Sequence, residues 1–324
     1  MTKAIRIHET GGPDVLRLDE IELPQPGPGE ARVRHTAIGL NFIDTYHRTG
    51  LYPVELPSGI GVEAAGVVEA LGQGVEGLTV GDRVAYAGRP PGSYSEARNI
   101  AAKLLVPIPE GVSDDVAAAV ILKGMTTEYL VRRTFRVEPG HTVLLHAAAG
   151  GVGSLASQWM AELGATVIGT VGSEAKAERA RAHGCAHAIV YTKEDFVERV
   201  GELTDGRGVD VVYDSVGKAT FHRSLQCLKR RGMAVSFGNA SGKPDPLDVL
   251  ELSRRGSLFV TRPTLFDYIA TRQELMDSAE AVFGVVGRGV VKVEIGQEFG
   301  LGDAAEAHRA LEGRGTVGAT VLRP

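Results

Sequence analysis

Hydrophobic and polar positions divide the chain into two textures. From residue 1 to about 120, short apolar or alternating runs are separated by Gly- and Pro-rich turns, with no long 3.6-residue repeat. Arg32–Ile38, Ala64–Ala70 and Gly81–Tyr86 read as strands, and this half is predicted to be mostly β. The stretch Pro24-Gln25-Pro26-Gly27-Pro28-Gly29 reads as a rigid connector, because proline fixes φ and cannot donate to a ladder. From about 140 to 263, strand and helix patterns alternate, as in βαβ units around a parallel sheet. Six apolar runs are predicted as strands covered on both faces: Thr142–His146, Thr166–Val171, Ala188–Tyr191, Asp210–Asp214, Met233–Phe237 and Leu258–Thr261. Between them Ser154–Leu163, Ser173–His183, Glu194–Leu203 and Phe221–Arg231 read as helices, several ending at a glycine suited to a left-handed cap. After residue 265 come an amphipathic helix (Arg272–Val286), a strand (Val290–Ile295), a helix near Asp303–Leu311 and a last strand (Thr316–Leu322).

The expected class is α/β. The tail carries no core of its own, so it is expected to fold back onto the β-rich half and leave the middle segment as an insertion. The division is residues 1–123 with 265–324 for one domain, and 124–264 for a six-stranded doubly wound domain. Two domains also suit 324 residues at ~150 per domain. With 43% hydrophobic and 23% charged residues, the composition is that of a globular protein. A net charge of -5 provides no electrostatic footprint for nucleic acid. The amino terminus interleaves charges with apolar residues, and the run Val116–Leu122 stops at Lys123-Gly124, short of the ~20 apolar residues of a membrane span. A soluble, cytoplasmic protein is expected. Cys185 and Cys227 cannot form a disulfide framework or a four-thiolate zinc site and are expected to be inert packing residues.

His146-Ala147-Ala148-Ala149-Gly150-Gly151-Val152-Gly153 follows a predicted strand and opens a predicted helix, the context a glycine fingerprint requires. Ala147, Gly150 and Gly153 keep the three-residue spacing, and Gly150 and Gly151 would let backbone approach a pyrophosphate lying on the helix N-terminus, with Val152 in the same turn. The next strand ends in Thr170-Val171-Gly172-Ser173-Glu174-Ala175-Lys176. No acid sits at the strand end to take a ribose 2′-OH; Ser173 can donate to a 2′-phosphate and Lys176 can pair with it, which predicts NADP(H). Glu174 reads as a first-turn acid behind an N-cap serine, and turned inward it would instead admit NADH. Tyr191, at the end of the third strand, is placed to stack near adenosine or to pack in the core.

Further stretches, Gly11-Gly12-Pro13, Asn41-Phe42-Ile43-Asp44-Thr45-Tyr46, Gly50-Leu51-Tyr52-Pro53, Gly61-Val62-Glu63-Ala64-Ala65-Gly66, Val212-Tyr213-Asp214-Ser215-Val216-Gly217 and Arg230-Arg231-Gly232, join the glycine loop in one pattern. Together they resemble the quinone oxidoreductase branch of the zinc-independent medium-chain dehydrogenases/reductases, which includes the zeta-crystallins. The resemblance covers essentially the whole chain. It implies a GroES-like β-rich catalytic domain built from both chain ends, a Rossmann domain and a homodimer. It also implies no zinc. Zinc-dependent relatives place Cys near Asn41 and Gly-His-Glu where this chain has Gly61-Val62-Glu63, and here no cysteine precedes position 185. Glu63 then reads as structural.

In that family, hydride from the nicotinamide puts negative charge on a quinone oxygen, which must meet donors or a cation. Asn41, Tyr46 and Tyr52 are the expected donors, with Asn41 and Tyr46 also beside the cofactor. Carried over with less force are Thr127 and Tyr129, expected to open the helix linking the domains, Ser215 after the fourth strand, and Phe237, Gly238, Asn239 and Ser241 after the fifth. Arg262 and Arg314 could hold substrate or cofactor phosphate, or form plain ion pairs. Asp214-Ser215 lacks an indicated histidine partner and does not read as a hydrolase motif. The expected reaction is NADPH-dependent quinone reduction on a small-molecule substrate; an enone or 2-alkenal reductase, or an NADPH-binding protein with little turnover, are the alternatives.

Overall fold

The alternating amino-terminal half folds into β1 (Thr2–Ile7), β2 (Arg17–Ile21), β3 (Glu30–Leu40), β4 (Ser58–Gly59), β5 (Glu63–Leu71), β6 (Arg83–Ala87), β7 (Ala97–Ala101) and β8 (Val106–Pro107). The structure is a computed structural model describing residues 1–313 and 315–324, and counts of elements refer to those described residues. β3 alternates buried and less buried positions up to Thr36 and is then buried without interruption from Ala37 to Leu40. One strand thus passes from a half-wet face into the core. Its register against β5 shifts at Arg32/Val33 and at His35/Ala37, bending β3 so that it also pairs with β7. At this crossing Gly66 leaves no room for a side chain: a Cβ there would lie 2.0 Å from Arg34 O. Ile5, Ile38, Leu40, Val84 and Tyr94 form the centre of the core.

The sequence pattern did not indicate α1 (Phe42–Thr49), which follows β3 directly. Asn41 N donates to Asp44 Oδ2 at its start, and Gly50 closes it at φ 80°. The next helix, α2, runs from Asp114 to Tyr129. Thr127 and Tyr129 therefore close this helix instead of opening one, because Asp114 and Asp115, suited to a helix N-terminus, start it a dozen residues earlier.

In the middle of the chain, β9 (Thr142–His146), α3 (Gly151–Glu162), β10 (Thr166–Val171), α4 (Glu174–Ala182), β11 (His187–Val190), α5 (Phe196–Leu203), β12 (Val209–Asp214), α6 (Phe221–Ser224), β13 (Leu228–Ser236), α7 (Leu250–Arg254), β14 (Phe259–Thr261) and α8 (Leu265–Tyr268) follow in order. The six strands are parallel in the order β11-β10-β9-β12-β13-β14, a doubly wound sheet whose order reverses between β9 and β12. The helix expected over Phe221–Arg231 is cut to one turn and a 3₁₀ turn. The chain is already in β13 by Leu228, and Arg231 takes a left-handed φ of 62° where a helical residue was expected.

α9 (Arg272–Gly287), β15 (Ile295–Gly300), α10 (Ala304–Glu312) and β16 (Ala319–Arg323) complete the chain. β16 lies between β15 and β3 in a seven-stranded sheet, while β1, β2 and β4 form a smaller one. The strand expected at Val290–Ile295 starts only at Ile295. Both backbone groups of Lys292 are taken by the Gln158 amide, Nε2 donating to Lys292 O and Oε1 accepting from Lys292 N, so they are lost to a ladder. The last strand starts after Gly318, held at φ 65°. Two compact units result: Met1–Met125, Ile269–Gly287 and Val293–Pro324 form the first, and Thr126–Tyr268 with Arg288–Lys292 the second. Gly66→Ala should lower the stability of the first unit by ~2 kcal/mol or more, since backbone must move to admit the methyl. A thermal midpoint within a degree of wild type would show that the β3–β5 crossing yields freely.

Candidate active site

In the second unit the expected cofactor residues gather at the carboxyl ends of the strands. After β9, Ala147 turns left-handed (φ 55°) and accepts from Gly150 N at 2.9 Å, and Gly150 stands as N-cap of α3 with no side chain to cap the first turn. The first-turn N–H groups of Gly151, Val152 and Gly153 have no intrahelical acceptor and suit an anion. A Cβ on Gly153 would lie 2.2 Å from Ala147 O, so this glycine lets helix and loop close on each other. After β10, Ser173 caps α4: its Oγ accepts from Lys176 N at 3.4 Å and keeps its own proton to donate. Glu174 is exposed and paired with Lys193 Nζ at 2.9 Å, which supports the first-turn reading over an inward turn. Tyr191, 42% exposed, lies over Gly172, where a Cβ would meet its Oη at 2.9 Å; this places it at the strand end instead of in the core.

The loops after β12 and β13 are laced together. Asp214 is buried, and its Oδ1 accepts from Val216 N (2.8 Å), Gly217 N (2.9 Å) and Thr220 Oγ1 (2.9 Å), which shapes the turn through Ser215. Ala240 N donates to Ser215 O, Phe237 N to Asp214 O, and Ser241 Oγ to Val216 O at 2.8 Å. A Cβ on Gly238 would lie 2.5 Å from Ser215 O. Arg262 Nη1 donates to Ser236 O at 2.8 Å, and with the Asn239 amide nitrogen on Gly238 O, the amide oxygen accepts from Arg262 Nη2 at 3.2 Å. Arg262 is thus held against the loop. Tyr129 is buried and stacks on Tyr268 with ring centroids 4.5 Å apart, and Thr127 is fully buried. Arg314 lies outside the described residues.

A histidine does stand near Asp214, although the sequence indicated none. His146 Nε2 lies 2.9 Å from Ser224 Oγ, which lies 3.2 Å from Asp214 Oδ2, and His146 Nδ1 contacts Thr170 Oγ1 at 2.9 Å. All four side chains are buried, so the set joins β9, β10 and β12 and offers no nucleophile to solvent. Both cysteines are buried with thiols pushed up by burial, Cys185 to about 11 and Cys227 to about 12, as expected of inert packing residues.

In the first unit, Asn41 caps the start of α1, Tyr46 lies within it and Tyr52 follows its end. Tyr52 N donates to Tyr46 O at 3.0 Å, and the two rings meet edge to face at 5.2 Å. Beneath Asn41 is a carboxylate with no exposure, Glu63. Its Oε2 accepts from Asn41 Nδ2 (2.7 Å) and Lys123 Nζ (2.8 Å), and its Oε1 from Leu122 N (2.6 Å). Gly39 makes room: a Cβ there would lie 2.3 Å from Glu63 Oε2. The expectation of Asn41 as a donor to substrate is corrected here. Only the amide nitrogen can face a carboxylate, and it also approaches Gly39 O at 3.4 Å, so the nitrogen is committed inward and the side of the amide that remains is its carbonyl oxygen, an acceptor that also takes part in the capping box at the start of α1.

Sequence reasoning passed over Lys123, reading it only as the end of an apolar run. A lysine inside a run that becomes a buried helix face was the available signal. It also passed over a buried chain behind α1. Tyr94 Oη donates to Asp44 Oδ2 at 2.9 Å and lies 3.2 Å from His308 Nε2, while Arg48 donates to His308 Nδ1 and Glu312.

With this geometry in hand, comparison with known proteins is specific. Residues 27–110 match the family described as alcohol dehydrogenase GroES-like domain, and residues 151–283 the one described as zinc-binding dehydrogenase. A quinone oxidoreductase from Pseudomonas aeruginosa is 52% identical over 325 residues, covering 100% of both chains. A 2-haloacrylate reductase from Burkholderia sp. is 49% identical, covering 100% of this chain and 99% of its own. The crystal structure of Escherichia coli quinone oxidoreductase complexed with NADPH superposes with a TM-score of 0.98 at 48% identity, covering 99% of this chain and 100% of that one. Fold and matches define a medium-chain dehydrogenase/reductase. Within that class, the chain belongs to the quinone oxidoreductase family.

One of the matched descriptions names zinc, and the residues here do not fit it. Val62 has no donor atom, and the ammonium of Lys123 already occupies the carboxylate of Glu63. Among the described residues no group of three or more His, Cys, Asp or Glu is arranged to hold a metal. NADP(H) does fit: the orphan N–H groups at α3, the close approach that Gly153 permits, and the acid-free end of β10 suit its phosphates.

The buried imidazoles give the first unit a signed pH dependence. Burial pushes His35 down to about 4, His47 to about 4 and His308 to about 3, with Arg89 adding to the effect at His47 and Arg48 at His308. The unfolded chain protonates them below ~6.5 and the folded chain resists, so stability falls as pH drops from ~6.5 towards 4. Burial pushes Asp44 up to about 7, which has the opposite sign: its contribution is lost as pH rises from ~4 to about 7. With three groups against one, stability should fall by roughly 2 kcal/mol per pH unit between pH 6 and 4. Unfolding followed across that range should show the fall, with a shallower slope in His308→Asn; a flat profile would mean that these histidines titrate freely in the folded chain.

Proposed function

We propose that this protein reduces quinones with NADPH and without a metal. The observation that carries the reading is the end of β10, where Ser173 caps α4 with its hydroxyl proton left to donate, Lys176 follows in the first turn, and the nearby acid, Glu174, is paired with Lys193. Full-length identity of about half to quinone oxidoreductases supports it. The N–H groups of Gly151, Val152 and Gly153 take the pyrophosphate, Gly172, Ser173 and Lys176 the 2′-phosphate, and Tyr191 the adenosine. Ser215, Phe237, Gly238, Asn239 and Ser241 form the wall along the nicotinamide half, with Thr127 and Tyr129 contributing from the end of α2.

Bound NADPH supplies a hydride; with one proton from solvent, the quinone leaves as hydroquinone and NADP⁺ remains. Asn41 serves as acceptor for the nicotinamide carboxamide, with Tyr46 beside it. The Tyr46 and Tyr52 hydroxyls and the Arg262 cation meet the charge that develops on the substrate oxygen, and loss of one such donor costs ~10²–10³ in rate when chemistry limits turnover. Reduction of an activated alkene is the second reading, and the 2-haloacrylate reductase relative favours it. It uses the same donors and hydride.

A homodimer in the cytoplasm is also proposed. β14 is an edge strand of the parallel sheet among the described residues, and Phe259 on it is 56% exposed, with Val249 and Leu250 exposed before it. A second copy covering this edge would remove both the open ladder and the apolar patch. Phe259→Asp should shift the sedimentation coefficient from dimer to monomer; a wild-type protein already monomeric overturns the dimer.

The activity is tested by following NADPH and NADH oxidation by chelator-treated protein with a benzoquinone and with a 2-alkenal. Fast NADPH oxidation with the quinone is expected, and turnover of the alkenal alone would replace quinone by activated alkene. Lys176→Ala should raise KM for NADPH by ~10- to 100-fold and leave that for NADH nearly unchanged. An equal change for both cofactors would remove Lys176 from the 2′-phosphate.

A further inference from the structure

Glu63 and Lys123 form a buried ionic pair inside the first unit, set against the amide nitrogen of Asn41. Side-chain exposure is 0% for Glu63 and 7% for Lys123. A buried ion pair is seldom retained for stability alone, because apolar residues of similar volume do as well or better. What this pair does that apolar residues cannot is present a fixed acceptor to Asn41 Nδ2. An amide is free to rotate by half a turn, exchanging oxygen for nitrogen, unless its surroundings tell the two apart. Against a carboxylate only the nitrogen can face inward. Lys123 Nζ and Leu122 N, both from α2, hold that carboxylate from two sides, and Gly39 lets it approach β3.

We propose that the buried Lys123–Glu63 pair is a positioning unit for hydride transfer: it locks the Asn41 carboxamide with its oxygen outward, so that the acceptor aimed at the nicotinamide is set before the cofactor binds. This rests on the reading of Asn41 as a cofactor-facing acceptor. Neither charged residue touches the reacting atoms. They act through one amide, which keeps a single orientation in every turnover. Preorganisation of this kind raises the rate of the bound complex more than it tightens binding.

Two double variants separate the acceptor from the charge, and both avoid leaving a buried ion alone. Glu63→Gln with Lys123→Met keeps an oxygen for Asn41, and Glu63→Leu with Lys123→Met removes it. Hydride transfer is read as single-turnover loss of NADPH absorbance at saturating benzoquinone, alongside NADPH affinity by fluorescence and the thermal midpoint. The Gln/Met protein is expected within ~3-fold of the wild-type rate, and the Leu/Met protein ~10-fold or more slower, with NADPH affinity changed less than the rate. Asn41→Ala alone should be slowed comparably, and adding Leu/Met to it should slow it by no more than ~2-fold further, because the two changes remove one interaction. A folded Leu/Met protein as fast as wild type, or effects that multiply with Asn41→Ala, would overturn the proposal while leaving Asn41 a cofactor contact. If Asn41→Ala itself transfers hydride at the wild-type rate, the reading of Asn41 falls, and the positioning role with it.

Discussion

A carboxylate taken out of water must have its lone pairs met by donors, or it costs the fold several kcal/mol. In the first unit Asp44 and Glu63 both face it, and much of the local architecture answers Glu63. Position 39 must lack a side chain because a Cβ there would lie 2.2 Å from Ala118 O and 2.3 Å from Glu63 Oε2. α2 must carry a buried lysine after a run of alanine, valine and isoleucine, and must turn the Leu122 amide toward Glu63. β3 must be followed by a residue with a side-chain amide nitrogen, Asn41, which then caps α1. Tyr46 on α1, and Tyr52 just beyond its end, are thereby tied through Asn41 to that buried carboxylate.

The second unit meets a similar requirement with different partners. Asp214, buried at the end of β12, is met by two backbone amides and by the hydroxyls of Thr220 and Ser224. It has no cation. A carboxylate can be held by hydrogen bonds alone where a tight turn delivers several N–H groups to one point, as Val216 and Gly217 do. Glu63 lies in a strand, where neighbouring amides are committed to ladders, so a lysine has to come from elsewhere in the fold. Next to Glu63 in sequence stands Val62, which has no donor atom, and the ammonium of Lys123 balances the charge of Glu63.

What could be read from the sequence follows from how local each cause is. The six parallel strands were legible because strands covered on both faces are apolar throughout, and the glycine loop because close approach of backbone demands glycine at fixed spacing. α1 escaped notice since it is a short helix inside a β-rich half, although Asn41 and Asp44 spelled its start. Lys229–Arg231 resembled the basic end of a helix, whereas Gly208 and Gly232, each close against backbone, let β13 begin there. The orientation of the Asn41 amide could not be read locally, because it depends on a carboxylate twenty-two residues away and on a helix further still. Lys123 was visible as a residue, but its role depends on Glu63, sixty residues earlier in the chain.

The place of β16 has a consequence for how the chain is made. Thr320 pairs with Leu40, and the whole of the second unit's sheet is encoded between them. On the ribosome, β3 emerges early and then waits, with the edge that bears Ile38 and Leu40 unpaired, until nearly everything else has been synthesised. The parallel sheet of the second unit has all its strands available well before that. The nascent chain therefore passes through an interval in which one unit is able to fold while the other is held open by a missing strand, and in that interval an apolar edge is available to chaperones or to neighbouring chains.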